Sequence, residues 1–303
     1  MDQLPLEGMP RRLYSCTPSR LNTWLECPRR HRFTYLDRPS PQKGPPWAHN
    51  SVGVSVHNAL AGWWREPYER RTPVTAAVLV GSGWINEGFR DAEQSAAWRS
   101  RASEMTAGYV ASLDPADDPV GVERTVATRT SVIAVSGRVD RLDRRGEELV
   151  VVDYKTGRRP LTSDDTRSSL ALALYAIASS RMMHRPCHRV ELHHLPTGSV
   201  VEWEHTDESL ARHLSRAEEI AVEASAAEDR YRAWSGTART GAVRAGAARA
   251  GGADRTPPKV PEEIDALFPP KTGPLCSWCD FRRHCPEGQA ASGDRQPWDG
   301  LAD

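Results

Sequence analysis

Four of the six cysteines in this 303-residue chain are divided between its two ends. One stands in Glu26-Cys27-Pro28-Arg29-Arg30. Three stand in Cys276-Ser277-Trp278-Cys279-Asp280-Phe281-Arg282-Arg283-His284-Cys285-Pro286. Four thiolates are what a cubane iron–sulfur cluster requires, and a tetrahedral structural zinc site uses the same ligands. The second cysteine of the set follows the first by 249 positions (276 − 27). Either metal group would therefore clamp the two chain ends together, and everything between them must return the chain to its start. Cys16 and Cys187 have no partner in sequence and read as free small hydrophobes.

Lysine plus arginine and aspartate plus glutamate number 40 each, for a net charge of +0. A globally basic nucleic-acid binder is thus excluded, and any face for a polyanion must be local. Arginine is locally dense at Arg29, Arg30 and Arg32, and again at Arg138, Arg141, Arg144, Arg145, Arg158 and Arg159. These read either as a solvated face with scattered ion pairs or as a phosphate-contacting stripe, for which Arg138, Arg141, Arg158 and Arg159 are the candidates. No apolar run approaches the length of a membrane span. The start, Met1-Asp2-Gln3-Leu4-Pro5, has no basic region followed by an apolar stretch, so no signal peptide is visible. The chain reads as cytoplasmic with no membrane partner, a setting in which cysteines are metal ligands or free thiols rather than disulfides.

Residues 1–13 read as a disordered leader and 14–235 as the folded core. A flexible low-complexity linker is expected over 236–258, a cysteine segment packing on the N-terminus over 259–290, and a disordered tail over 291–303. Within the core, Thr17 and Pro18 open a short capped helix that reaches Cys27. Helices are expected over Gly53–Trp64, Trp84–Leu113, Asp164–Met183 and Glu208–Trp234. Strands are expected over Val122–Thr130, Val132–Leu142 and Glu148–Tyr154, with Gly146 at a turn. A hairpin is expected around Pro196-Thr197-Gly198. The order predicts an α/β fold with a mixed central sheet flanked by helices.

Gly137-Arg138-Val139-Asp140 and Val152-Asp153-Tyr154-Lys155 carry the chemistry. If their strands pair across the Gly146 turn, the two carboxylates and the lysine converge. Residues i and i+2 of a strand share a face, so Asp153 and Lys155 point together and Tyr154 points away. Two hard oxygen ligands suit Mg²⁺ or Mn²⁺, and such an ion activates water for phosphodiester cleavage. Lys155 would hold that water. The alternative is that Asp140 and Asp153 are ordinary strand-end acids paired with arginines. His57 is either a metal ligand or a buried histidine hydrogen-bonded to backbone. Glu123 is either an acid of the site or a strand-surface charge. Tyr175 either packs in the core or turns its hydroxyl to the site. His184, His188, His193, His194, His205 and His213 show no ligand spacing and read as structural or surface residues.

In order, these motifs are Ser19-x-Leu21-x-x-Trp24-x-x-Cys27-Pro28-x-x-His31-x-Phe33, Gly53-x-x-x-His57, Gly137-Arg138-Val139-Asp140-Arg141-Leu142-Asp143, Val152-Asp153-Tyr154-Lys155-Thr156-Gly157 and Cys276-x-x-Cys279-Asp280-Phe281-x-x-x-Cys285-Pro286. From Ser19 to Pro286 the chain resembles RecB-family exonucleases of the PD-(D/E)XK superfamily. It is most similar to their iron–sulfur branch, related to the CRISPR adaptation nucleases and the AddB nuclease domain. The resemblance implies a restriction-endonuclease-like core and a catalytic Mg²⁺ or Mn²⁺ on His57, Asp140 and Asp153, with Lys155 acting on the nucleophilic water. It also implies a [4Fe–4S] cluster on Cys27, Cys276, Cys279 and Cys285 that joins the termini. The expected activity is a DNA exonuclease acting on single-stranded or free ends in repair or recombination. The alternative is a DNA-binding accessory subunit working with a helicase partner. One departure stands out: the family's later helix carries Gln-x-x-x-Tyr, and here Tyr175 is present but Ala171 takes the glutamine position. Arg167 or Ser168, one turn earlier, are the candidates to fill that loss.

Overall fold

The computed structural model describes residues 13–246 and 260–301. A short strand, β1 (Tyr14–Cys16), leads into two helices, α1 (Pro18–Glu26) and α2 (Pro28–Tyr35). The Thr17 side chain accepts from the Arg20 amide and Pro18 fills the first turn, so the start signal in the sequence is used as written. Cys27 ends the first helix and begins the second, its sulfur accepting from the Arg30 amide. Then come α3 (Ala48–Arg65), α4 (Pro73–Ser82) and α5 (Ala92–Val110). The helix expected from Trp84 begins only at Ala92. Gly88 has a φ of 82° and packs so tightly that a Cβ would lie 2.3 Å from the Pro46 carbonyl oxygen, and Asp91 caps the new helix by accepting from the Gln94 amide.

Three strands follow, β2 (Gly121–Arg129), β3 (Ile133–Arg145) and β4 (Glu148–Lys155). The expected helix over Asp164–Met183 is split into α6 (Ser163–Arg167) and α7 (Leu170–Met183), because Ser169 takes an extended backbone and caps the second by accepting from the Leu172 amide. β5 (Arg189–His194) and β6 (Ser199–Glu204) form the expected hairpin. α8 (Asp207–Gly246) is longer than expected and runs into the segment read as linker; residues 247–259 lie outside the described residues. α9 (Glu262–Asp265) and α10 (Pro286–Ala291) close the chain.

The sheet is mixed. β3 pairs antiparallel with β2 and with β4, and parallel with β1. β4 pairs parallel with β5, and β5 antiparallel with β6. Along β3, β1 takes residues 133–135 and β4 takes 141–145. The stretch Ser136–Asp140 faces neither of them. β4 is buried on both faces, as its apolar run Leu149–Val152 implies. Leu149 and Val151 join the core under α7 and α8, whereas Val150, Val152 and Tyr154 join a second core under α3, α4 and α5.

One acid holds the N-terminal elements to the long helix. Glu228 of α8 is fully buried and receives Tyr14 Oη at 2.6 Å, Arg20 Nη2 at 2.7 Å and His31 Nε2 at 2.8 Å, with Arg232 alongside. Burial opposes its charge, but hydrogen bonds from His31, Tyr14 and Arg20 outweigh that and hold the carboxyl down at about 2.

Near the C-terminus, Arg29 and Arg32 both reach Asp265 at 2.5 Å, and Phe281 packs on Phe33 with ring centroids 5.6 Å apart. Residues 291–303 were expected as a disordered tail. Instead the Pro297 carbonyl accepts from the Ala48 amide, and Leu301 is buried against α3.

Removing the Glu228 carboxylate strands a guanidinium and a histidine in the core. Glu228→Ala is expected to lose about 3–5 kcal/mol of stability in denaturant unfolding. Because its folded pKa lies below the unfolded value near 4.3, the wild-type contribution is present at neutral pH. It fades as pH falls from about 4.5 toward 2, and Glu228→Ala should lack that part of the acid transition.

Candidate active site

The site forms where β3 and β4 part. Their pairing runs from Arg145↔Glu148 to Arg141↔Val152 and stops there. The amide of Tyr154, freed from the ladder, donates to Asp140 Oδ2 at 2.9 Å. α3 crosses this point and places His57 between the strands. His57 Nε2 lies 3.1 Å from the Tyr154 carbonyl oxygen, and Nδ1 lies 3.3 Å from Asp140 Oδ2. A carbonyl only accepts, so Nε2 carries a proton and Nδ1 is the nitrogen that faces the acids. Burial depresses the His57 pKa, but Asp140 and then Asp153 outweigh it and the net shift is upward.

Glu123 lies between the paired positions Val122↔Arg141 and Arg124↔Val139, at the level of Asp140 but not paired with it, and has a φ of 50°. Left-handed backbone is strained for a glutamate. Its effect is visible in the cores. Val126 packs in one core and Val122, four residues earlier on the strand, packs against the other. Simple alternation would put both on one side. The reversal brings Glu123 to the acids: one ligand atom each from His57, Glu123 and Asp140 lie within 4.8 Å of one another. Among the described residues this is the one such group of three or more. Burial raises the Glu123 pKa, and Asp140 adds to the rise. Burial also raises that of Asp153, again with Asp140 contributing. Acids crowded in this way favour a bound cation.

Asp153 and Lys155 share a face, as the strand period requires, with Lys155 Nζ 2.5 Å from Asp153 Oδ2. Tyr154 points to the opposite side. Asp153 was expected among the metal ligands, but the close group contains Glu123 in its place. Glu123 is the reading the sequence left most open, since nothing in a strand pattern announces a left-handed residue.

Tyr175 of α7 reaches the same cleft across Gly137. A Cβ on Gly137 would lie 2.5 Å from Tyr175 Cε1, so glycine is required for the ring to sit there. Burial pushes the Tyr175 hydroxyl up to about 12, with the Asp153 and Asp140 charges adding to it. Arg167 and Ser168 do not take the place of the missing glutamine; they line a separate cavity with Trp203.

The cleft has a volume of about 860 Å³ and is lined by His49, Val54, His57, Trp98, Arg138, Lys155, Arg158 and Tyr175 among others. Arg138 bonds Glu123 at 2.6 Å and Arg158 is exposed at the rim. Arg159 turns to Asp165 at 2.5 Å. Arg141 corrects the expected stripe: it is 4% exposed, behind the sheet, and cannot meet a strand in the cleft. Gly300 and Leu301 also reach the cleft wall. No sequence signal pointed to them.

The four cysteines of the split set line a second cavity of about 50 Å³, with Phe33, Phe281 and Gly288. Cys285 accepts from the Gly288 amide at 3.4 Å. A Cβ built on Gly288 would lie 3.4 and 3.6 Å from the Cys285 and Cys276 sulfurs, so this backbone forms part of the cysteine pocket wall. Cys16 and Cys187 are buried elsewhere.

The sequence profile of the PD-(D/E)XK nuclease superfamily matches residues 15–286, from β1 through the last cysteine. The chain belongs to the PD-(D/E)XK nuclease superfamily. No curated protein matches it. Among solved structures, a candidate exonuclease from Eubacterium rectale superposes with a TM-score of 0.45 at 11% identity, covering 75% of this chain and 88% of its own. Among the described residues, no helix is long and apolar enough to cross a membrane.

Gly137→Ala is expected to cost about 1–3 kcal/mol through overpacking. In a double-mutant cycle with Tyr175→Ala, most of that cost should disappear, since the second change removes the ring the methyl strikes. Thermal or urea unfolding of the four proteins measures both.

Proposed function

We propose that this protein is a divalent-metal-dependent DNA nuclease, acting as an exonuclease on single-stranded ends in repair or recombination. The observation that carries the reading is the convergence of His57, Glu123 and Asp140 within 4.8 Å, beside the Asp153–Lys155 pair, in a chain of this superfamily. The donor set fits Mg²⁺ or Mn²⁺: carboxylate oxygens and one imidazole nitrogen whose tautomer is set by the Tyr154 carbonyl. His57, Glu123 and Asp140 would hold the ion, with Asp153 as a further donor. When bound, the ion supplies charge for the phosphodiester and lowers the pKa of water. Lys155 holds the attacking water and balances charge that develops on the phosphate. The Tyr175 hydroxyl, uncharged at neutral pH, offers a hydrogen bond in the same cleft. Arg138 and Arg158 contact phosphates. Val54 and Trp98 on the wall suit unpaired bases, which stack on apolar and aromatic surface.

Cys27, Cys276, Cys279 and Cys285 would hold a [4Fe–4S] cluster that joins the chain ends. A structural Cys₄ zinc site, which uses the same ligands, is the alternative.

Purified Asp153→Asn and Lys155→Ala should each lose at least about 10³-fold in Mn²⁺-dependent digestion of end-labelled single-stranded DNA, on the order of 4 kcal/mol of barrier, while melting near wild type. Retained activity in a preparation free of other nucleases would sink the reading. Arg158→Ala should reduce the salt slope of single-strand binding by about 0.7, and Arg141→Lys should leave it unchanged.

Iron and sulfide content tests the cluster. Cys27→Ala, Cys276→Ala, Cys279→Ala and Cys285→Ala should lose iron, whereas Cys16→Ala and Cys187→Ala should keep it. Full iron in Cys27→Ala would refute the closure of the chain ends.

A further inference from the structure

The next pair in the β3–β4 register after Arg141↔Val152 would be Asp140 with Asp153, and it is not made. Backbone pairing therefore does not set the distance between the two acids. Like charges placed opposite each other would push the strands apart. The Tyr154 amide reaches Asp140 Oδ2 across the gap at 2.9 Å, and a second link holds the strands themselves at a spacing that a cation can bridge.

That link lies behind the sheet. Each acid is followed by a residue that points away from the cleft, Arg141 after Asp140 and Tyr154 after Asp153, and these two meet. Arg141 Nη1 donates to Tyr154 Oη at 3.4 Å and to Tyr109 Oη at 3.2 Å. Trp64 Nε1 donates to the same Tyr154 hydroxyl at 3.2 Å. The guanidinium also lies 5.3 Å from the Trp64 ring centroid and 5.9 Å from that of Tyr154. Asp143 accepts from Arg141 Nη2 at 3.0 Å and neutralises it, and His193 bonds the Tyr109 hydroxyl at 2.8 Å. An arginine here is 4% exposed. Burying a guanidinium with its acid gives little net stability over apolar side chains of the same volume. Packing alone does not account for it.

We propose that Arg141 and Tyr154 are positioning residues that clamp the diverging strands from behind, setting the spacing of Asp140 and Asp153 and hence the affinity of the site for its divalent cation. The proposal rests on the nuclease reading of the cleft. It explains why the residues that follow the two acids are a buried cation and a buried phenol in mutual contact.

The test is Mn²⁺ binding by calorimetry to the full chain, with thermal unfolding recorded for every protein. Tyr154→Phe keeps the ring and removes only the hydroxyl; Arg141→Met keeps the bulk and removes the charge. Each is expected to bind Mn²⁺ about 10-fold more weakly, the size seen when outer partners of metal ligands are removed. Leu149→Ala, a core truncation on the same strand, should melt lower yet bind Mn²⁺ like wild type. Wild-type affinity in Tyr154→Phe would overturn the clamp, whether or not Arg141→Met folds. So would an equal loss in Leu149→Ala, because general loosening would then suffice. If the wild type binds Mn²⁺, Asp140→Asn abolishes binding and the clamp variants bind normally, the clamp falls and the metal centre stands. If the wild type binds no Mn²⁺, both fall.

Discussion

The point at which β3 and β4 stop pairing governs this molecule. A ladder that continued past Arg141↔Val152 would bind the Tyr154 amide to a backbone carbonyl and set two aspartates side by side. Ending it there frees that amide, which Asp140 takes, and opens a gap into which α3 lowers His57. The freed Tyr154 carbonyl then orients the imidazole. One interrupted ladder thus places an acid, fixes a tautomer and leaves room for a cation.

The chain ends bear on this gap through packing. Asp280, next to Cys279, accepts from Trp47 Nε1 at 3.0 Å, and Trp278 packs tilted on Trp47 and edge-on to His49, with centroids 5.1 and 5.5 Å away. Trp47 caps the helix that carries His57. The cysteine segment therefore supports the N-terminal end of α3, and Cys27 supports α1 and α2. The two cavities are separate, but one helix is held by one of them and serves the other.

Much of this was legible in the chain. Glu148 to Tyr154 reads as a strand, because a β-branched apolar run leads directly into Asp-x-Lys. Thr17-Pro18 and Gly146 act locally and behave as written. The parts that Arg141 and Glu123 play were not legible. Arg141 lies in a cluster of arginines, and one-dimensional pattern cannot tell a solvated guanidinium from one caged by Trp64, Tyr109 and Tyr154. Glu123 reaches the acids only through a left-handed backbone, held by the flanking β3 pairs Val122↔Arg141 and Arg124↔Val139.

The sequence by itself determined the class of fold, the cysteine set, and the face shared by Asp153 and Lys155, since strand period, turn residues and ligand type are local properties. Tertiary structure alone decided which acid joins His57 and Asp140, which arginines face the cleft, and how the last residues close on α3. Those outcomes depend on where two strands part and on what packs behind them, distances set by contacts between residues far apart in the chain.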